Sequence, residues 1–315
     1  MRTVNSRWLP LLLVGVTGFG VVGCDPIGRR QVGRASDRMA LDEGVSATEN
    51  DGSAAVSSVD DGAGCQGSSC YTIYAHSDHV LYKIDLTNRA LVKVGAFNAP
   101  MVKVNGRLYE DNMTDLAVAP DDTLYTISHT TLYSANASDG HVTAIGNITT
   151  CGQDNVALTT TKDGNLFVAD YLKGAFCKID LAGQTPTVAP IGTLGGGYAV
   201  SGDLVAVGDG TMYATVHDPR VSKTDDNNVL VKIDPTTGVA TAIIGPTGYP
   251  KLFGVAFENG QVFGFTHDGS GNVVTIDPKT GKGRFYNSFK DPSTGMGISF
   301  SGAGVNSLVA PADPG

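Results

Sequence analysis

The chain has 315 residues, a formal charge of −9, 17% charged residues and 41 glycines, about twice the usual ~7% glycine share. Charge that sparse excludes a Glu/Lys-rich coiled coil and a highly charged disordered chain. The acidic balance excludes a general nucleic-acid binder, which needs a basic face. Excess glycine with scattered proline suits an all-β domain with many turns.

At the N-terminus, Arg2 and Arg7 flank the start of an apolar run, Trp8 to Val22, too short to span a bilayer comfortably. A positive start, a short apolar run and a small-residue end read as a secretory signal over residues 1–23. The run ends Val21-Val22-Gly23-Cys24, which resembles a bacterial lipobox. That resemblance implies cleavage before Cys24, acylation of this cysteine by palmitate or a similar chain, and a protein exported and anchored to the inner or outer membrane of the cell envelope. Cleavage removes two arginines and no acid, so the charge becomes −11. It also removes Trp8, the one tryptophan. Lipid on Cys24 leaves Cys65, Cys70, Cys151 and Cys177, the even number an exported protein favours. Sequence-local pairing gives disulfides Cys65–Cys70 and Cys151–Cys177, and the spacings match no zinc pattern. Residues 24–69 follow as a linker rich in Ser, Asp, Gly and Ala, unable to bury enough surface to fold alone.

From residue 70 to 310 two landmarks alternate. One is a strand ending in Ile-Asp and a turn: Leu81–Asp85, Phe176–Asp180, Leu230–Asp234 and Val273–Asp277, with a weaker copy at Leu132–Asn136. An Asp there can accept from the main chain two residues on, and Gly238 or Gly281 supplies the left-handed position that follows. The other landmark is a hairpin turn and short strand at Asp121–Tyr125, Asp163–Phe167, Asp209–Tyr213 and Asn259–Phe263. Each unit then holds four short strands in about 48 residues, the size of a propeller blade. The first segment, Tyr71 to Gly95, lacks inner strands, and the last, Gly297 to Val309, lacks outer ones. A ring closed by joining both ends in one blade predicts this phase. The sequence therefore predicts an all-β, five-bladed β-propeller, followed by a tail over 311–315. Residues 95–115 could hide two further strands, so six blades is the alternative.

The stretch DGNLFVADYLKGAFCKID (163–180) resembles an NHL-type blade. Within 228–300, LVKIDPTTGVATAIIGPTG and LFGVAFENGQVFGFTHDGSGNVVTIDPKTG resemble the repeats of secreted bacterial propeller-like proteins. The resemblance implies architecture and no single chemistry.

Counting five residues from the start of each second strand, with Tyr71 as the first counterpart, aligns His76, His129, Tyr171, His217 and His267. Neutral imidazole suits metal or proton transfer. Second strands lie outward from the axis, however, so the copies are expected too far apart to share one metal, and a residue repeated in each blade is expected to be a blade part. His129, His217 and His267 remain binding candidates, with Tyr249, Tyr198 and Phe253 as aromatic platforms. The repeats break at 98–115 and at 217–228, the latter carrying Asp218, Asp225 and Asp226, and both loops are expected on one face. A third constellation aligns Asp115 and Asn155 with Gly254 and Gly297, with Asp203 nearby. Its position resembles the metal mouth of gluconolactonase- and paraoxonase-like propellers, although their glutamate has no counterpart. The leading expectation is a non-catalytic binding or interaction module for a protein or glycan partner, without cofactor. The alternative is a metal-dependent lactonase, lyase or hydrolase using Asp115, Asn155 and Asp203 around a divalent cation such as calcium.

Overall fold

The computed structural model describes residues 71–104, 106–220 and 227–311. The leader, Cys24, the linker, Cys65, Cys70, Asp225 and Asp226 lie outside the described residues.

The described chain begins with β1 (Ile73–His76), β2 (Val80–Asp85) and β3 (Ala90–Ala96), then a short pair, β4 (Met101–Val104) and β5 (Arg107–Glu110). The next blade is β6 (Asp115–Val118), β7 (Leu124–Ile127), β8 (Thr131–Ala135) and β9 (Val142–Asn147). After it come β10 (Asn155–Thr160), β11 (Leu166–Asp170), β12 (Ala175–Asp180) and β13 (Thr187–Thr193). The fourth set is β14 (Ala199–Ala206), β15 (Met212–His217), β16 (Val229–Ile233) and β17 (Ala240–Pro246). The last full set is β18 (Leu252–Glu258), β19 (Gln261–Thr266), β20 (Asn272–Ile276) and β21 (Gly283–Ser288), before the final strand β22 (Gly302–Gly304). Four sheets run in sequence order, and β22 pairs with β1 to complete a fifth, ordered β22-β1-β2-β3. The inner strands β22, β6, β10, β14 and β18 touch in that cyclic order. The fold is a five-bladed β-propeller, with both chain ends joined in blade 1.

Residues 95–115 do contain two further strands, but β4 and β5 pair only with each other. Met101, Leu108 and Tyr109 stay exposed, so this hairpin has no buried face on which to become a sixth blade. The inner strands of the blades on either side of it, β22 and β6, are already in contact.

Local chemistry explains the blades. Second strands are covered on both sides by neighbouring blades, so β11 (LFVAD) is buried at all its positions, while the outer strand β13 is not buried at any. Strand-end acids cap their own turns: Asp234 accepts from the Thr236 amide and Asp277 from the Lys279 amide, both at 2.8 Å. Gly238 and Gly281 follow at φ +73° and +75°. The apolar core lies between blades rather than on the axis. Ile73 from blade 1, Phe257 and Phe265 from blade 5, and Phe300 fill the closing seam. That seam is pinned further by Tyr82, whose hydroxyl donates to Asp291 Oδ2 at 2.7 Å, and by Lys93 Nζ at 3.3 Å from the same oxygen. Blade 2 repeats the device, with Tyr133 donating to Asp111 Oδ2 at 2.6 Å. Cys151, in the turn ahead of β10, is disulfide-bonded to Cys177 on β12.

Candidate functional site

The ladders identify which residue of each inner strand stands at one level of the axis. Asp115 faces Ile127, Ala157 faces Ala169, Gly254 faces Phe265 and Gly302 faces His76. Asp203 lies in a bulge of β14, just before Leu204, which pairs with Ala214. The axial level is therefore Asp115, Ala157, Asp203, Gly254 and Gly302. Two carboxyls fill a channel that three small residues leave open for them. A Cβ on Gly302 would lie 2.4 Å from both Asp115 Oδ1 and His76 Nε2.

Both carboxyls are fully buried. Asp115 accepts the Leu116 amide at 2.8 Å and, across to blade 3, the Leu158 amide at 2.6 Å. Asp203 accepts the Leu204 amide, the Val255 amide of blade 5 and, at 3.4 Å, the Ala303 amide of blade 1. Burial above all pushes both well above the usual carboxylate range, while the amides pull back. The negative charge of Asp203 and the hydrogen bond between the two side chains raise Asp115 further, whereas that bond lowers Asp203. Asp115 and Asp203 thus form a proton-sharing pair whose titration belongs to both carboxyls together. His76 beside them is pushed down to about 4 by burial, against the raising effects of the Ser77 carbonyl and Asp78. Its Nδ1 donates to the Ser77 carbonyl at 2.8 Å, and its buried Nε2 has no partner.

Directly above this plug the channel widens into a cavity of about 710 Å³. Its floor is the residue preceding the axial level in each blade: Thr114, Val156, Gly202, Phe253 and Ser301. Its wall is the residue two positions beyond the paired second-strand residue: Asp78, His129, Tyr171, His217 and His267. The His267 ring stacks on Phe253 (centroids 4.7 Å apart, 18° between planes), and Tyr171 meets His217 edge-on at 5.3 Å. His129 Nδ1 is 2.6 Å from Asp154 Oδ1. Asp78 accepts from the Ser301 hydroxyl and, at 3.4 Å, from the Asn112 amide. Lys251 stands on the rim with φ +54°, a backbone strained for a non-glycine residue, and its carbonyl accepts the His267 amide at 2.9 Å.

This arrangement corrects several sequence expectations. The blade-1 member of the ring is Asp78, because β1 starts at Ile73 and not at Tyr71. His76 is two residues out of register and sits beside the axis. The other four ring members stand at the expected position and all border one cavity. Asn155 is not level with Asp115: β10 carries a register shift between Asn155 and Ala157. The Asn155 amide instead donates to the carbonyls of His129 (2.7 Å) and Gly152 (3.0 Å). Gly302, not Gly297, completes the axial set. Tyr249 is not a basin residue; its ring packs on Gly283 and against the blade 5–blade 1 core. Phe253 does line the basin. Both repeat breaks reach it, one through Asn112, Met113 and Thr114, the other through His217.

Among the described residues, no three His, Cys, Asp or Glu side chains are grouped to hold a metal ion. Asp115 and Asp203 direct their oxygens into main-chain amides and toward each other, and Asn155 stands apart, so these three do not form a fitting donor set. A second cavity of about 520 Å³ lies between turns at the other end of blades 2 and 3. Its Asp121 and Asp180 cap their own turns.

The ring and its blind basin define a five-bladed β-propeller whose channel is closed beneath one mouth. The chain belongs to the family described as a repeat of unknown function, DUF6923, whose profile matches residues 121–287, more than half of its length. No curated protein sequence matches it. Among solved structures it is similar to the Dos1 propeller, at 14% identity and a TM-score of 0.41, over 67% of this chain and 56% of that one. It is also similar to a protein of unknown function from Bacteroides caccae, at 13% identity and a TM-score of 0.42, over 75% and 99% of the two chains. Streptogramin B lyase is similar at 12% identity and a TM-score of 0.38, over 69% and 64%. The chain thus spans little more than half the length of the Dos1 propeller structure.

Proposed function

We propose that the protein is a lipid-anchored, non-catalytic binding module of the cell envelope, and that its ligand occupies the basin at the channel mouth. The observation that carries this reading is convergence: all five blades and the 98–115 insertion contribute to one cavity, with Asp78, Tyr171 and three histidines around its wall. The groups able to move protons are held back. The axial carboxyls are sealed beneath the floor, His129 is engaged by Asp154, and His267 Nδ1 lies 3.1 Å from the Phe300 carbonyl. The volume falls in the range of small-molecule sites, about 300–1,000 Å³.

Small molecules retained by the full chain purified from envelopes, compared by mass spectrometry with those retained by Phe253→Ala, test the binding reading. Identical extracts would refute it. The anchoring reading rests on Val21-Val22-Gly23-Cys24. It expects the mature N-terminal peptide to begin at an acylated Cys24, and full-length precursor to accumulate in Cys24→Ser. An unmodified N-terminus elsewhere refutes it.

A further inference from the structure

The basin combines a flat aromatic surface with hydrogen-bonding groups of both signs, and the combination narrows its ligand. Stacking fixes Phe253 and His267 as one shelf on the blade 5 side. Beside it, Asp78 offers a carboxylate already steadied by Ser301 and Asn112. Next around the ring, His129 is oriented by Asp154. Charge argues against an ionic ligand. An anion would meet the carboxylates of Asp78 and Asp154, and a cation would find both already engaged, Asp78 by Ser301 and Asn112 and Asp154 by His129, with Lys251 at the rim. A neutral polyol has neither conflict. Its hydroxyls donate to carboxylates and accept from Lys, Asn and His, while its C–H face lies on an aromatic ring. With Trp8 the only tryptophan, Phe and His must supply that ring.

Resting on the binding reading above, we propose that the basin takes a neutral carbohydrate, one or two pyranose rings. One ring lies on the Phe253–His267 shelf, and its hydroxyls are held by Asp78 and by the His129 side of the wall.

Calorimetric titration of the purified full chain with cellobiose, maltose and chitobiose, alongside choline and triglycine, tests the proposal. One disaccharide is expected to give saturable heat that is little changed between low and high salt, as suits an uncharged ligand. Phe253→Ala and Asp78→Asn should each weaken it about tenfold or more, a loss of about 1.4 kcal/mol, in titrations run well below each variant's own melting temperature. No saccharide heat at millimolar concentration, or heat that survives both substitutions, overturns the proposal. If choline or triglycine binds instead and Phe253→Ala abolishes it, the carbohydrate assignment fails while the basin remains a binding site. If no probe binds and the envelope extracts are also identical, both readings fall.

Discussion

Replacing Asp203 with alanine tests the axial plug. Asp203 satisfies the amides of Leu204 in its own blade and Val255 in blade 5, and reaches Ala303 in blade 1 at 3.4 Å. Removing its carboxyl orphans at least two buried donors, each worth about 1–3 kcal/mol when left unpaired. It also takes from Asp115 its partner in the shared-proton pair. A loss of about 2–6 kcal/mol follows, a large share of the ~5–15 kcal/mol that holds a typical domain. The same pair sets a pH dependence. Both folded-state pKa values are raised, above all by burial, so the native pair keeps a proton that the unfolded chain has released above about pH 4. Stability must therefore fall as pH rises from there until the pair itself titrates, by up to about 1.4 kcal/mol per pH unit for one proton. Asp115→Asn keeps a donor toward Asp203 but carries no titratable proton, and should flatten that slope. Urea unfolding of the full chain at a series of pH values reads both effects. A loss below about 1 kcal/mol in Asp203→Ala, or an equal pH slope in Asp115→Asn, would refute the reasoning.

Other perturbations separate closure, cross-link and rim. Tyr82→Phe removes a hydrogen bond to a carboxylate at the closing seam, and should cost about 1–2 kcal/mol in urea unfolding. Burial alone would raise Asp291, but the Tyr82 hydroxyl, the Ser293 amide, the Lys93 ammonium and the Thr294 amide outweigh it and hold the group at about 2. Its stabilising effect is thus complete above the unfolded value of about 3.9 and lost as pH falls through about 2, so Tyr82→Phe should unfold at a less acidic pH than the parent. Changing Cys151 and Cys177 together to serine opens a loop with a separation of 26 residues, and should lower stability by about 3 kcal/mol on the chain-entropy account; an unchanged urea midpoint contradicts it. Lys251→Gly relieves the left-handed strain and should raise stability by up to about 1 kcal/mol, while weakening saccharide binding in the calorimetric titration. Replacing the β4–β5 hairpin by a short Gly-Ser link should leave the melting temperature nearly unchanged, since the hairpin pairs only with itself; failure to fold would show that it belongs to the ring.

The blades were legible because their signals are local. An apolar strand, an Asp at its end and a glycine with positive φ four residues later can be read without knowing what packs on them, as at Asp234–Gly238 and Asp277–Gly281. The split blade was legible for the same reason, since unpaired halves at the two ends have no other way to cover their edges. Phe253 was noticed as an aromatic but not as half of a shelf, because its partner His267 comes from the neighbouring strand of the same sheet. Asp78 left a faint signal: a ring member two residues past the end of β1, hidden by choosing Tyr71 as the strand start.

Residue order alone determined the strand content, the five-fold repeat, the ring closure and the turn chemistry, since each follows from contacts within one blade. Only the tertiary structure decided which side chains share the axis and which share the basin. Register shifts at Asn155/Ala157, Val200/Leu204 and Leu252/Gly254 sit at the starts of the inner strands. A bulge moves every residue before it relative to the neighbouring blade, and spacing along the chain carries no record of that displacement. Asn155 therefore left the axis, Asp203 entered it, and four of the five positions counted along the repeats closed, together with Asp78, around a single cavity.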